Sequence, residues 1–288
     1  MEQTIRVGAV DLTFDTHGDA SHPTVLLIMG LAAQLIHWSD SFIDALVKRG
    51  FHVVRFDNRD SGRSTHFDGA PADFPAALRG DFSNVAYTFS DMANDTVGLL
   101  DALHIDSAHL VGASLGGAIA QTIALEHRTR VRTLTSMMTG TGDPKVGFIH
   151  PEAGKVVFSP AKTREEVIAR AIRSHEVTGS PLYPTDPKLI AERAGRAWDR
   201  DHDPLGPVRQ GIASLASGDR TERLRTLDVP TLIIHGLADT LCDPSGGRAA
   251  AAAIPNAELH LIEGMGHELP AQLHERLATL ISSVAGKR

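Results

Sequence analysis

One cysteine, two tryptophans and two tyrosines in 288 residues exclude a good deal. A lone Cys242 can form no internal disulfide, and no Cys-x-x-Cys or zinc-type cysteine spacing exists. With so few large rings, the chain has no aromatic array that would point to a ring-shaped substrate. No stretch of about 18 apolar residues occurs, so no membrane-spanning helix is expected. Met1-Glu2-Gln3-Thr4-Ile5-Arg6 lacks the basic start and apolar core of a secretory leader, which makes the cytoplasm the expected location. Positive charge is also scarce. Lys plus Arg is 28 against 35 for Asp plus Glu, a net charge of -7, and no stretch concentrates enough of it to follow a phosphate backbone. Nucleic acid is therefore not an expected partner, and neither repeats nor low-complexity linkers interrupt the chain.

What is there reads as an ordinary globular chain, 42% hydrophobic and 22% charged, long enough for one large domain with an insertion. Two alternating segments around Gly8 (residues 5–17) predict a hairpin at a sheet edge. The continuous apolar run Val25–Met29 predicts a strand buried on both faces, and His52–Phe56, Ala108–Val111, Val131–Met137, Thr231–His235 and Glu258–Ile262 predict further strands. Helical spacing lies between them, from about Asp40 to Lys48, Ser90 to Leu103, Gly117 to Ala124, Pro244 to Ile254, and from about Pro270. Strands alternating with helices imply a mostly parallel, doubly wound sheet flanked by helices. The alternation stops near Gly140 and resumes at Thr231. In the gap, a Thr163/Glu166 capping box, Asp186-Pro187 and Asp203-Pro204 each start a predicted helix. The expected division is a core of residues 1–140 and 225–288 with a helical cap, or lid, inserted at 141–224.

The chemistry starts at Gly112-Ala113-Ser114-Leu115-Gly116, set between a predicted strand and a predicted helix. A serine at the apex of such a turn sits in strained backbone, and its glycine neighbours let strand and helix approach closely, so Ser114 is the candidate nucleophile. A hydroxyl needs a base within hydrogen-bond reach and a third group to orient that base. His267 lies in the glycine-rich loop Glu263-Gly264-Met265-Gly266-His267 just beyond a strand, where a base is required. Asp239, in the turn after Thr231–His235, is the candidate acid. Asp243, followed by Pro244, reads better as a helix N-cap, and Asp143 is a rival. The developing oxyanion needs two amides, for which Leu115 and Leu31 are the candidates. Gly30, Ala32 and Trp38 would wall the site from the core side, and Phe148, Phe158, Leu182, Tyr183, Trp198 and Leu205 from the lid. The charged loop Asp57-Asn58-Arg59-Asp60-Ser61-Gly62-Arg63-Ser64 reads as an internally hydrogen-bonded brace. His267 and His274 are seven residues apart with Pro270 between, so the spacing fits no metalloprotease helix and no metal ligand set is assigned.

With Ser114, Asp239 and His267 in that order, the chain resembles the α/β-hydrolase family over nearly its whole length. Ile28-Met29-Gly30, the Asp57 to Ser64 loop, the Ser114 pentapeptide and Gly264-Met265-Gly266-His267 are similar to the serine esterase branch containing aclacinomycin methylesterase and mycobacterial carboxylesterases. Many family members carry His-Gly where this chain has Met29-Gly30, which removes side-chain assistance there but not the Leu31 amide. The resemblance implies a cofactor-free carboxylesterase or methylesterase acting on a small-molecule ester through an acyl-enzyme. Carbon-carbon bond hydrolases, thioesterases and perhydrolases share the triad, and a hydrolase-fold receptor is a further alternative. A homodimer is left open.

Overall fold

In the computed structural model, which describes residues 1–286, eight strands form a single sheet. They are β1 (Gln3–Val7), β2 (Val10–His17), β3 (Thr24–Ile28), β4 (His52–Phe56), β5 (Ala108–Ala113), β6 (Val131–Met137), β7 (Thr231–Gly236) and β8 (Glu258–Ile262). The order is β1-β2-β4-β3-β5-β6-β7-β8. The β1–β2 hairpin pairs antiparallel at the edge, as its alternation predicts, and from β4 onward every pairing is parallel.

Side-chain alternation splits the buried strands between two apolar layers. In β3, Leu26 and Ile28 join one cluster while Val25 and Leu27 join the other. The first layer is closed by α3 (Phe89–Ala102), α4 (Leu115–Glu126) and α10 (Ser245–Ala253), the second by α1 (Asp40–Val47) and α11 (His274–Ala285). Helix α3 starts one residue before the expected Ser90, because Thr88 and Asp91 form its capping box. A short α2 (Phe74–Leu78), capped by Asp73, was not anticipated.

Between β6 and β7 run α5 (Pro151–Val157), α6 (Arg164–Thr178), α7 (Pro187–Arg200), α8 (Gly206–Ser217) and α9 (Thr221–Leu224). The Thr163/Glu166 box starts α6, and the Asp186 carboxylate accepts from the Lys188 amide at 2.8 Å to start α7. Asp203-Pro204 does not open the third helix. Gly206 does, two residues on; Asp203 Oδ1 accepts from the Leu205 amide at 2.8 Å just before the helix, while Oδ2 faces Arg209 and His66. Helices α5, α6 and α7 pack on one another, whereas α8 lies against α2 and α3. Of the expected core segment 225–288, residues 287 and 288 lie outside the described residues. Among the described residues no helix is long and apolar enough to cross a membrane.

Candidate active site

Ser114 stands between β5 and α4 with φ 55° and ψ −124°, a conformation that L-residues rarely adopt. The turn is tight on every side. A Cβ on Gly112 would stand 2.2 Å from the Gly116 carbonyl oxygen, and one on Gly116 only 2.1 Å from that of Ile28. Glycine is thus obligatory at both positions, because backbone lies where a side chain would begin. The Ser114 amide donates to the Met137 carbonyl at 2.9 Å, tying the elbow to the neighbouring strand. Leu115 is the first residue of α4, so its amide has no intrahelical acceptor.

Asp239 and His267 follow β7 and β8, so all three candidate residues sit beyond the carboxyl ends of strands. His267 Nδ1 lies 2.8 Å from Asp239 Oδ2. Asp239 Oδ1 accepts from the amides of Leu241 and Cys242 at 2.9 and 2.8 Å. Burial of this carboxyl pushes its pKa up, but hydrogen bonds from His235 and His267, the imidazole charge and the Cys242 amide outweigh burial and hold it at about 2. An ionised carboxylate can only accept, so in the neutral imidazole tautomer that this contact favours the His267 proton is on Nδ1 and Nε2 carries the lone pair. The rival acids are occupied elsewhere: Asp243 and Asp143 accept from the nearby amides of Ser245 and Lys145, both at 2.9 Å. Burial, with Asp239 and Asp243 nearby, pushes the Cys242 thiol up to about 12, so it is no competing nucleophile at neutral pH.

Sequence reasoning missed His235. It is the next-to-last residue of β7 and fully buried, its Nε2 2.7 Å from the Cys242 carbonyl oxygen and 3.3 Å from Asp239 Oδ2. The one signal in the sequence is its place near a strand end, four residues before Asp239.

The pocket-wall candidates divide. Gly30 lies against Ser114, since a Cβ there would stand 3.0 Å from Ser114 Cβ and 3.5 Å from its Oγ. Leu31 is half-buried beside it, and Ala32 is exposed with φ 59°. Leu182 is 61% exposed but lies over the histidine loop, its Cγ 2.2 Å from where a Cβ on Gly264 would be. Tyr183 packs against the second apolar layer. Phe148, Phe158 and Leu205 are exposed, and Trp198 stacks on His202 at 3.5 Å. Trp38 must be corrected. The turn Leu35–His37 directs it under the sheet, where it is fully buried and stacked on Phe42 at 5.6 Å as core.

The charged loop is a brace, as its composition suggests. Asp57 accepts from the Leu35 amide at 2.6 Å, Asn58 donates to the Met29 carbonyl at 3.0 Å, and Arg59 grips Asp95 with two bonds of 2.6 and 2.7 Å. Asp60, His66 and Asp203 come close enough together to suggest a metal site. However, the Arg209 guanidinium donates to both oxygens of Asp60 and to Asp203, and so fills the place that a cation would take.

A strained serine elbow and an aspartate-bound histidine at the carboxyl edge of a parallel sheet define a class, and the family model for the α/β hydrolase fold matches residues 23–271. The chain belongs to that family. It is 31% identical to rhodomycin D methylesterase DnrP of Streptomyces peucetius, with 92% of this chain and 91% of the relative aligned. It is 28% identical to a 2-hydroxy-6-oxononadienedioate/2-hydroxy-6-oxononatrienedioate hydrolase of Paraburkholderia xenovorans, covering 90% and 85%. Among solved structures, the meta-cleavage product hydrolase CumD of Pseudomonas fluorescens IP01 superposes with a TM-score of 0.75 at 22% identity, over 98% of this chain and 96% of that one.

Proposed function

We propose that the protein is a serine carboxylesterase, most simply a methylesterase, acting on a small-molecule ester. The observation that carries this is the Asp239–His267 pair at 2.8 Å, placed at the same sheet edge as the strained Ser114. Likeness to DnrP, named for a methyl ester substrate, supports the choice of bond. Ser114 Oγ attacks the ester carbonyl while His267 Nε2 takes its proton. The Leu115 and Leu31 amides receive the developing oxyanion, and Asp239 holds the imidazolium. His267 returns the proton to the leaving alcohol, then activates a water that releases the acid. The sequence of steps calls on no cofactor. Residues 141–224 serve as a cap over the core of 1–140 and 225–288, and contacts such as Leu182 set substrate choice. A cytoplasmic location accompanies this reading.

Turnover of p-nitrophenyl esters from acetate to laurate, measured on wild type and Ser114→Ala, tests it. Steady turnover by wild type alone is expected, and the chain-length optimum measures the pocket. A folded wild type that gives one burst or no ester hydrolysis would shift the assignment to a substrate of the kind named for the Paraburkholderia relative.

A further inference from the structure

We propose that Gln210, on α8, is a positioning residue for the oxyanion donor at Leu31; this rests on the serine-esterase reading above. Residues Gly30 to Ala33 form a turn closed by the Ala33 amide donating to the Gly30 carbonyl at 3.2 Å. Its third residue, Ala32, has φ 59°, the place in a type II turn where glycine is usual because a side chain resists that conformation. Left to itself, a turn with alanine there relaxes by rotating the Leu31–Ala32 peptide.

Gln210 opposes that rotation. Its Oε1 accepts from the Ala32 amide at 2.8 Å, and its Nε2 donates to the Arg59 carbonyl at 2.8 Å, so the side chain is pinned at both ends. It is fully buried although polar, and both amide functions are used. The next residue along the chain, Gln34, is held from α7: its Nε2 donates to the Ala197 carbonyl at 2.8 Å. The turn beside Ser114 is therefore held by helices more than 160 residues away in sequence. The Leu31 amide belongs to the peptide preceding the one Gln210 fixes, so loss of Gln210 leaves the donor in place chemically but free to swing away from the oxyanion.

The test compares wild type, Ser114→Ala, Gln210→Met and Gln210→Met/Ala32→Gly on one activated ester. Removal of an oxyanion donor costs about 10²–10³ in kcat, so misplacement in Gln210→Met should cost about 10- to 100-fold, with KM changed by less than about threefold. Affinity for a boronic acid that forms a tetrahedral adduct on Ser114 should fall by the same factor. Glycine takes up the left-handed conformation unaided, so the added Ala32→Gly should recover most of the loss, which a purely structural role for Gln210 would not allow. A folded Gln210→Met that keeps wild-type kcat, or whose loss glycine does not relieve, overturns the proposal. Turnover that survives Ser114→Ala overturns the esterase reading and this proposal together. If Gln210→Met does not fold, Gln210→Asn, one methylene too short to span both partners, is read the same way.

Discussion

Strands β5 and β7, which lead into Ser114 and Asp239, are buried at every residue, whereas α6 buries only Thr178 and α7 only Ile190, Ala194 and Gly195. The sheet is held by apolar area, which is non-directional and is lost only when the core opens. The segment between β6 and β7 reaches the site partly through individual polar contacts, Gln210 on Ala32, Arg200 on Asp57, and the Ser180 amide on Glu268 at 2.8 Å beside His267, while Ala213 on α8 and Leu224 on α9 join the first apolar layer. A neutral contact such as that of Gln210 contributes about 0.5–1.5 kcal/mol net and one to a charged group about 1.5–3 kcal/mol, each small against the apolar area that holds the sheet. The difference is one of support: Ser114 and Asp239 follow strands buried at every residue, while the loops around them are held in addition by polar contacts from the segment between β6 and β7.

The largest effects should come from the strand-supported groups. Ser114→Ala should reduce ester turnover to the residual of about 10³–10⁴ over water that binding and oxyanion donors sustain, with an unchanged near-ultraviolet circular dichroism spectrum. Asp239→Asn should cost up to about 10⁴-fold in kcat by upsetting the His267 tautomer, while Asp243→Asn stays within about threefold; the reverse ranking would transfer the acid role. With the Asp239 pKa at about 2, the acid limb of the pH–rate profile should not arise from this carboxylate. Because its pKa is depressed in the fold, Asp239 adds stability that is present above about pH 4 and is lost as pH falls toward 2. Gly30→Ala tests the seam between the two parts. Its Cβ would meet Ser114 Cβ at 3.0 Å and the Ala113 carbonyl oxygen at 3.2 Å, so the oxyanion turn must back away. About a 10- to 100-fold loss in kcat with little change in melting temperature is expected.

The same difference explains what the sequence disclosed. The hairpin, the strands and the order of Ser114, Asp239 and His267 were legible because apolar runs and glycine-flanked turns are local patterns. The capping box at Thr163 was legible for the same reason. His235 was not, because its partner Asp239 matters only once β7 ends in a turn that folds the carboxylate back onto it. Trp38 was misplaced because a ring near a predicted oxyanion loop gives no sign of which side of the sheet it will take. Gln210 and Arg209 were invisible as partners of Ala32 and Asp60, since pairing across more than 140 residues leaves no periodicity to read.

The smallest predicted effect separates the two parts by pH. His66, beyond β4, places Nδ1 2.9 Å from Asp203 and 3.9 Å from Asp60, and Nε2 3.2 Å from Asp201 and 3.0 Å from the Gly62 carbonyl oxygen, with Arg209 lying between Asp60 and Asp203. Burial pulls its pKa down, but the Gly62 carbonyl and the Asp203 and Asp201 carboxylates outweigh burial and raise it above the ordinary histidine value. A raised histidine stabilises fully below about pH 6.5, and that contribution fades as pH rises through the folded value. The α7–α8 junction should therefore loosen toward alkaline pH, whereas the Asp239 contribution does not change in that range. Hydrogen exchange of the amides of Asp201, His202, Asp203 and Leu205, corrected for intrinsic rates, should be about two- to fivefold less protected at pH 9 than at pH 6, the scale of a partly exposed ion pair. His66→Gln should abolish the difference while β7 amides keep theirs unchanged. Equal protection at both pH values in wild type would mean that the junction is held by Arg209 alone and that the inserted helices are less adjustable than their polar contacts imply.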